Sequence, residues 1–85
     1  MRTFDYTIKD ELGIHARPAG LLVKEASAYK SLIKIVKGEK SADAKKIFGI
    51  MGLGVKCGET ISVTLEGADE AEAAAGLKDF MAKLW

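Results

Sequence analysis

The chain has 85 residues, with 13 Lys and Arg against 12 Asp and Glu and one each of His, Cys, Pro and Trp. That length supports one domain over residues 1–85, for which surface scaling predicts roughly 4,900 Å² of accessible area folded against about 13,000 Å² unfolded. A net charge of +1 argues against a nucleic-acid binder, no apolar run nears the ~20 residues that cross a bilayer, and the N-terminal MRTFDYTIKD lacks the apolar core of a signal peptide.

Residues 2–8 read as a strand, with Phe4, Tyr6 and Ile8 alternating against Thr3, Asp5 and Thr7. Gly13 marks a turn, and Pro18 suits the first turn of a helix. From Ala16 to about Ala28 the period is helical, with Ala19, Leu22, Val23 and Ala26 on one face. Leu32 to Lys37 is a second strand, joined by a tight Gly38-Glu39 turn to a third at Lys40 to Ala44. Ile47 to Leu53 is apolar but interrupted by Gly49 and Gly52, which predicts a short, weak helix. Thr60 to Glu66 alternates strictly, placing Ile61, Val63 and Leu65 on the inner face, and Gly67 ends it. Asp69 is expected to cap a last helix, with Glu72 completing a capping-box-like pair. Ala73, Leu77, Phe80, Met81 and Leu84 form its apolar stripe, Gly76 costs it about 1 kcal/mol relative to Ala, and Trp85 packs its end. Strands with one apolar face need cover on one side only. The order therefore predicts an α/β (α+β) open-faced sandwich, βαββαβα, with three helices on one face of a four-stranded antiparallel sheet.

The chemistry concentrates in Gly13-Ile14-His15-Ala16-Arg17-Pro18-Ala19. The turn puts His15 at the N-terminal edge of the first helix, where backbone N–H groups lack partners. The helix dipole disfavours imidazolium there, favouring a neutral, nucleophilic ring, and would stabilise an anion placed on it. Arg17 supplies a permanent cation with donors matched to phosphoryl oxygens. Ala16 opens the helix, and Pro18, with no N–H, stiffens its first turn. Spacing alone leaves two readings open: transient phosphorylation of a ring nitrogen, or a polar loop histidine. One Cys and one His cannot build a structural zinc site, so neither metal nor cofactor is expected. A lone Cys forms no internal disulfide, which fits a reducing cytoplasm, and Cys57 in its Lys56–Gly58 setting is assigned no role.

The Gly13–Ala19 segment resembles the active-site signature of the HPr family, the histidine-containing phosphocarriers of the bacterial phosphoenolpyruvate-dependent sugar phosphotransferase system. The similarity continues through Gly38-Glu39-Lys40-Ser41-Ala42, Ile47-Phe48-Gly49-Ile50-Met51-Gly52-Leu53-Gly54 and Gly67-Ala68-Asp69-Glu70, covering essentially the whole chain. The resemblance implies that His15 accepts a phosphoryl group, at Nδ1, from enzyme I charged by phosphoenolpyruvate and donates it to enzyme IIA components. Arg17 then assists transfer, and the protein is a cytoplasmic, monomeric carrier rather than a stand-alone catalyst. Two other classes use the same fold: a regulatory or interaction module, against which the His15-Arg17-Pro18 set speaks, and a carrier for a nitrogen or dihydroxyacetone branch.

Many family members from Gram-positive bacteria carry a second, regulatory phosphorylation site, a serine just before the short helix. Lys46 stands there instead, so that control should be absent. The surface implied for partners comprises Ala16, Gly20, Lys24, Ser27, Ile47, Phe48, Gly49, Met51, Gly52 and Lys56, with Phe48 and Met51 exposed and Ile50 and Leu53 turned inward. Gly20 departs from the larger residue common in the family. Lys24, Lys45, Lys46 and Lys56 are expected to form a basic rim that speeds docking.

Overall fold

The computed structural model describes residues 1–84, so the expectation for Trp85 lies outside the described residues. The elements run β1 (Arg2–Thr7), α1 (Ala16–Ala26), β2 (Leu32–Lys37), β3 (Lys40–Asp43), α2 (Ile47–Gly52), β4 (Thr60–Glu66) and α3 (Glu70–Leu84). All strand pairings are antiparallel, in the order β1-β4-β2-β3. The open-faced sandwich with βαββαβα order is thus the fold.

Alternation in each strand becomes a layer in the sheet. Phe4 opposes Val63, Val63 opposes Ile35, and Ile35 opposes Ala42, a row that crosses all four strands on the helix-covered face. Ile33, Ile35, Ile61, Val63 and Leu65 are buried there under Ala19, Leu22 and Ala26 of α1 and Ala73, Leu77 and Met81 of α3. The opposite face carries polar cross-strand pairs. The Ser62 hydroxyl donates to Asp5 at 2.6 Å, and the Thr7 and Thr60 hydroxyls meet at 2.8 Å. The accessible surface of 5013 Å² is what size alone predicts for a folded chain of this length.

Boundaries move by a residue or two, each for an identifiable reason. Ile8 stays buried and paired, its N–H donating to Glu59 O at 3.0 Å, but it lies just beyond β1. Helix α1 stops at Ala26 rather than Ala28 because Ala28 and Tyr29 donate back three residues, to Glu25 and Ala26, tightening the last turn. Strand β3 ends at Asp43, whose carboxylate accepts the Lys45 N–H at 2.9 Å and turns the chain. Leu53 is the cap of α2 rather than its last residue.

The start of α3 departs from the capping-box expectation. The Asp69 carboxylate accepts the N–H groups of Lys30 and Ser31, at 2.8 and 2.9 Å, and the Ser31 hydroxyl. Asp69 does hold the N-cap position, its carbonyl accepting the Ala73 N–H at 2.8 Å, but its carboxylate ties α3 to the entry of β2. The acid that reaches back is Glu70, which accepts the Gly67 N–H at 3.3 Å, and Glu72 is left exposed. Ser31, the buried polar residue of the core, is thereby satisfied.

Gly76 is explained by a close approach. A Cβ there would collide with the Tyr29 hydroxyl and sit 3.1 Å from Tyr29 Cζ. Gly76→Ala should therefore lose about 1–3 kcal/mol by overpacking, although Ala is the better helix former. A urea midpoint that rises in Gly76→Ala would refute the close packing, and Tyr29→Phe should recover part of the loss.

Three carboxylates predict the acid limb of stability, one of them Glu70, which its bond with the N-terminal ammonium holds below the usual range. Asp69 is held below the usual carboxylate range first by the Ser31 hydroxyl and then by the Lys30 N–H. Glu59 is lowered by the Lys56 N–H and by Lys37. A folded value depressed below the unfolded one gives stability that is complete above the unfolded range, about 4, and lost as pH falls through the folded values. Urea midpoints should be flat above about pH 5 and fall below pH 4. Asp69→Asn should be weaker at neutral pH and lose less on acidification; an acid limb as steep as the parent's would remove Asp69 from this account.

Candidate functional site

The turn before α1 is built on backbone contact. Gly13 has φ +68°, and a side chain there would strike the Val55 carbonyl and lie 2.8 Å from Lys56 Cα. The next residue closes the contact, Ile14 N–H donating to Val55 O at 3.0 Å. The 53–59 loop behind the turn is held by Lys37. Its ammonium donates to the carbonyls of Leu53 and Gly54, at 3.4 and 3.0 Å, and pairs with Glu59 at 3.1 Å.

This frame places His15 as the N-cap of α1, with extended backbone (φ −115°, ψ −179°), its carbonyl accepting the first helical bond from Ala19 at 3.0 Å. Its side chain makes no cap bond and is 36% exposed. The helix carries no acidic residue in its first turn. The N–H groups of Ala16 and Arg17 have no carbonyl within the helix to bond, and Pro18 has no N–H. A helix end with no acid in its own first turn thus lies beside an accessible imidazole, a setting that suits an anionic group on the ring. Arg17 is exposed, and Pro18 is buried in the helix base.

Helix α2 lies against α1, with Ile47 Cδ1 3.6 Å from where a Gly20 Cβ would be, so a side chain at Gly20 would pack on α2. Phe48 is 86% and Met51 39% exposed, Gly49 and Gly52 are exposed, and Ile50 and Leu53 are buried. Ala16 and Lys56 are exposed near the turn, while Lys24 and Ser27 lie at the far end of α1, Lys24 about 14 Å along the axis from His15. Lys46 is the exposed N-cap of α2.

Lys45 does not belong to the basic rim. Its ammonium donates to Tyr29 O at 2.7 Å, just past the C-terminal end of α1, where a cation opposes the negative end of the dipole. Cys57 is exposed, its thiol donating to Lys9 O at 3.6 Å. Among the described residues, no group of three His, Cys, Asp or Glu could hold a metal.

Sequence reasoning passed over Asp10, Leu12 and Leu21. Asp10 Oδ1 accepts the Leu12 N–H at 2.9 Å, and its Oδ2 lies 3.5 Å from His15 Nε2. The sequence signal for Asp10 is an aspartate three residues before the turn glycine, Gly13. Leu12 and Leu21 are exposed apolar side chains. Leu21 betrays itself by helical spacing, four residues after Arg17 on the polar face of α1.

Comparison with known proteins gives this geometry its family. Residues 2–83 match the family model described as the PTS HPr component phosphorylation site. The phosphocarrier protein HPr of Lysinibacillus sphaericus is 40% identical over 84 residues, covering 99% of this chain and 96% of the relative. The crystal structure of HPr-C-His from Thermoanaerobacter tengcongensis superposes with a TM-score of 0.93 at 42% identity, covering 99% and 94% of the two chains. The structure of an HPr dimer from the same organism aligns at 0.76 and 42% identity, covering 100% and 99%. With the match running nearly end to end in both sequence and fold, the chain belongs to the HPr family, phosphocarriers of the phosphotransferase system rather than stand-alone catalysts.

Proposed function

We propose that His15 is the phosphoryl acceptor and donor of this carrier, loaded by enzyme I at the expense of phosphoenolpyruvate and unloaded onto enzyme IIA components. The observation that carries this reading is the half-buried but accessible, uncapped ring at the start of a helix with no acid in its first turn. In the transfer a ring nitrogen gives its electron pair to phosphorus while the donor's bond to phosphorus breaks and the leaving atom keeps that pair. The Ala16 and Arg17 N–H groups and the Arg17 guanidinium supply positive charge to the phosphoryl oxygens. The chain's part is positioning and charge stabilisation.

The partner face we assign comprises Ala16, Gly20, Lys24 and Ser27 of α1 and its end, Ile47, Phe48, Gly49, Met51 and Gly52 of α2, and Lys56. An apolar centre with exposed lysines around it favours fast, brief docking over tight binding. Residues 1–85 act as one domain, and as a monomer, so that the same face is free to meet two partners in turn. We place it in the cytoplasm, where phosphoenolpyruvate is made; among the described residues no helix is long and apolar enough to cross a membrane.

Incubation with phosphoenolpyruvate, Mg²⁺ and enzyme I should add one acid-labile phosphoryl group, read by mass spectrometry, and His15→Ala should abolish it. No gain in the parent chain with a demonstrably active enzyme I would sink the reading. Arg17→Ala should slow loading by roughly 10- to 100-fold, the scale of one or two charge-assisted hydrogen bonds.

Phe48 supplies the corresponding test of the face. Phe48→Ala should raise the apparent KM for enzyme I about fivefold or more, as for an interface anchor, while moving the urea midpoint little because the ring is exposed. An unchanged KM would take Phe48 out of the interface.

A further inference from the structure

Asp10 lies five residues before His15 and uses its two carboxylate oxygens differently. Oδ1 accepts the Leu12 N–H at 2.9 Å, and the Asp10 carbonyl accepts the Gly13 N–H at 2.9 Å, so backbone and side chain together lock the turn. With one oxygen pinned, the other is fixed in direction, and it faces His15 Nε2 at 3.5 Å. The carboxylate is itself only partly exposed, at 31%, so its field on the ring is not fully screened by water.

We propose that Asp10 is a positioning residue for phosphoryl transfer: it accepts the Nε2–H of His15, holds the ring in one tautomer and orientation, and leaves the Nδ1 lone pair as the nucleophile. The proposal rests on His15 being the phosphoryl acceptor. A carboxylate is acceptor-only, so a neutral imidazole beside it is favoured with its proton on the near nitrogen. This is the part that an orienting carboxylate plays wherever one ring nitrogen must be kept free to react.

The same contact acts during the reaction. As Nδ1 gives its pair to phosphorus, the donor–phosphorus bond breaks and the leaving atom keeps its electrons. Nε2 retains its proton throughout, and no proton is released. The ring gains positive character, directed through Nε2–H at the Asp10 carboxylate. The 3.5 Å approach is long for the resting state and shortens as that charge develops, as such contacts do on passing to the transition state.

His15 is the only histidine of the chain, so its ring nitrogens can be followed without assignment ambiguity. Asp10→Asn is the discriminating variant. The Leu12 N–H still demands an acceptor, so the amide oxygen stays on the turn and the NH₂ faces Nε2. Two donors cannot face each other, and the ring proton should move to Nδ1. ¹⁵N shifts of the neutral ring should show Nε2–H in the parent chain and a marked shift toward Nδ1–H in Asp10→Asn. Loading by phosphoenolpyruvate and enzyme I should slow on the order of tenfold or more, the scale of one charge-assisted hydrogen bond.

Asp10→Ser provides a second variant, because its hydroxyl can still accept from Leu12 but cannot reach the ring. It should give mixed tautomers and slowed loading. Unchanged tautomer populations in both variants overturn the proposal, whether or not the rate falls, and an inverted tautomer with the parent rate overturns it too. A parent chain that enzyme I does not load at all overturns the acceptor reading instead, and the ring shifts separate that failure from this one.

Discussion

The site depends on one place where two backbones touch. Gly13 sits so close to Val55 and Lys56 that no Cβ fits, and the Ile14 N–H seals the contact on Val55 O. The 53–59 loop that receives this turn is itself fixed on three sides. Ile8 exchanges bonds with Glu59 and Gly58, Lys37 holds the carbonyls of Leu53 and Gly54, and Glu59 ties the Lys56 N–H at 2.7 Å. Because His15 follows this contact directly and opens α1, the point at which its side chain leaves the backbone is set by backbone bonds. As the proposed acceptor, His15 must stay accessible and cannot be buried for rigidity. It gains rigidity from the residues on either side.

What the sequence discloses follows from how local each determinant is. Thr60–Glu66 alternates within one strand, and its inner residues Ile61, Val63 and Leu65 are buried as the period requires. Helix α1 shows its buried face through Ala19, Leu22 and Ala26 in the same way. Asp69 and Glu72 matched a local capping pattern, but the carboxylate had a better use across the fold, satisfying Ser31 at the start of β2. Gly76 read as a propensity cost because the Tyr29 hydroxyl that requires it comes from a distant segment. At the candidate site, the Gly13–Ala19 motif is contiguous and stands out. The Asp10 contact depends on how a four-residue turn folds back, which no residue pattern expresses by itself.

The lysines sharpen what near-neutral net charge means here. Lys37 and Lys45 are spent on carbonyls at helix ends, Lys37 on Leu53 and Gly54 after α2 and Lys45 on Tyr29 after α1. Both positions oppose the negative end of a helix dipole, so these cations stabilise the fold. The positive charge left for a partner is therefore smaller than a count of nearby lysines suggests. On the proposed partner face it comes from exposed Lys24, Lys46 and Lys56 together with Arg17 and the N-terminus of α1.

That economy suits a relay. A strongly basic face would attract acidic partners firmly and release them slowly, whereas a carrier must dissociate after each transfer. On the proposed face the permanent charge is modest, and the exposed, apolar Phe48 and Met51 would add contact area without charge. With His15 as the proposed acceptor, the positive start of α1 faces the phosphoryl group itself. On the proposed reading, positive charge placed there stabilises the transferring group without gluing the two proteins together, because a phosphoryl group on His15 would neutralise much of it and its departure would restore it.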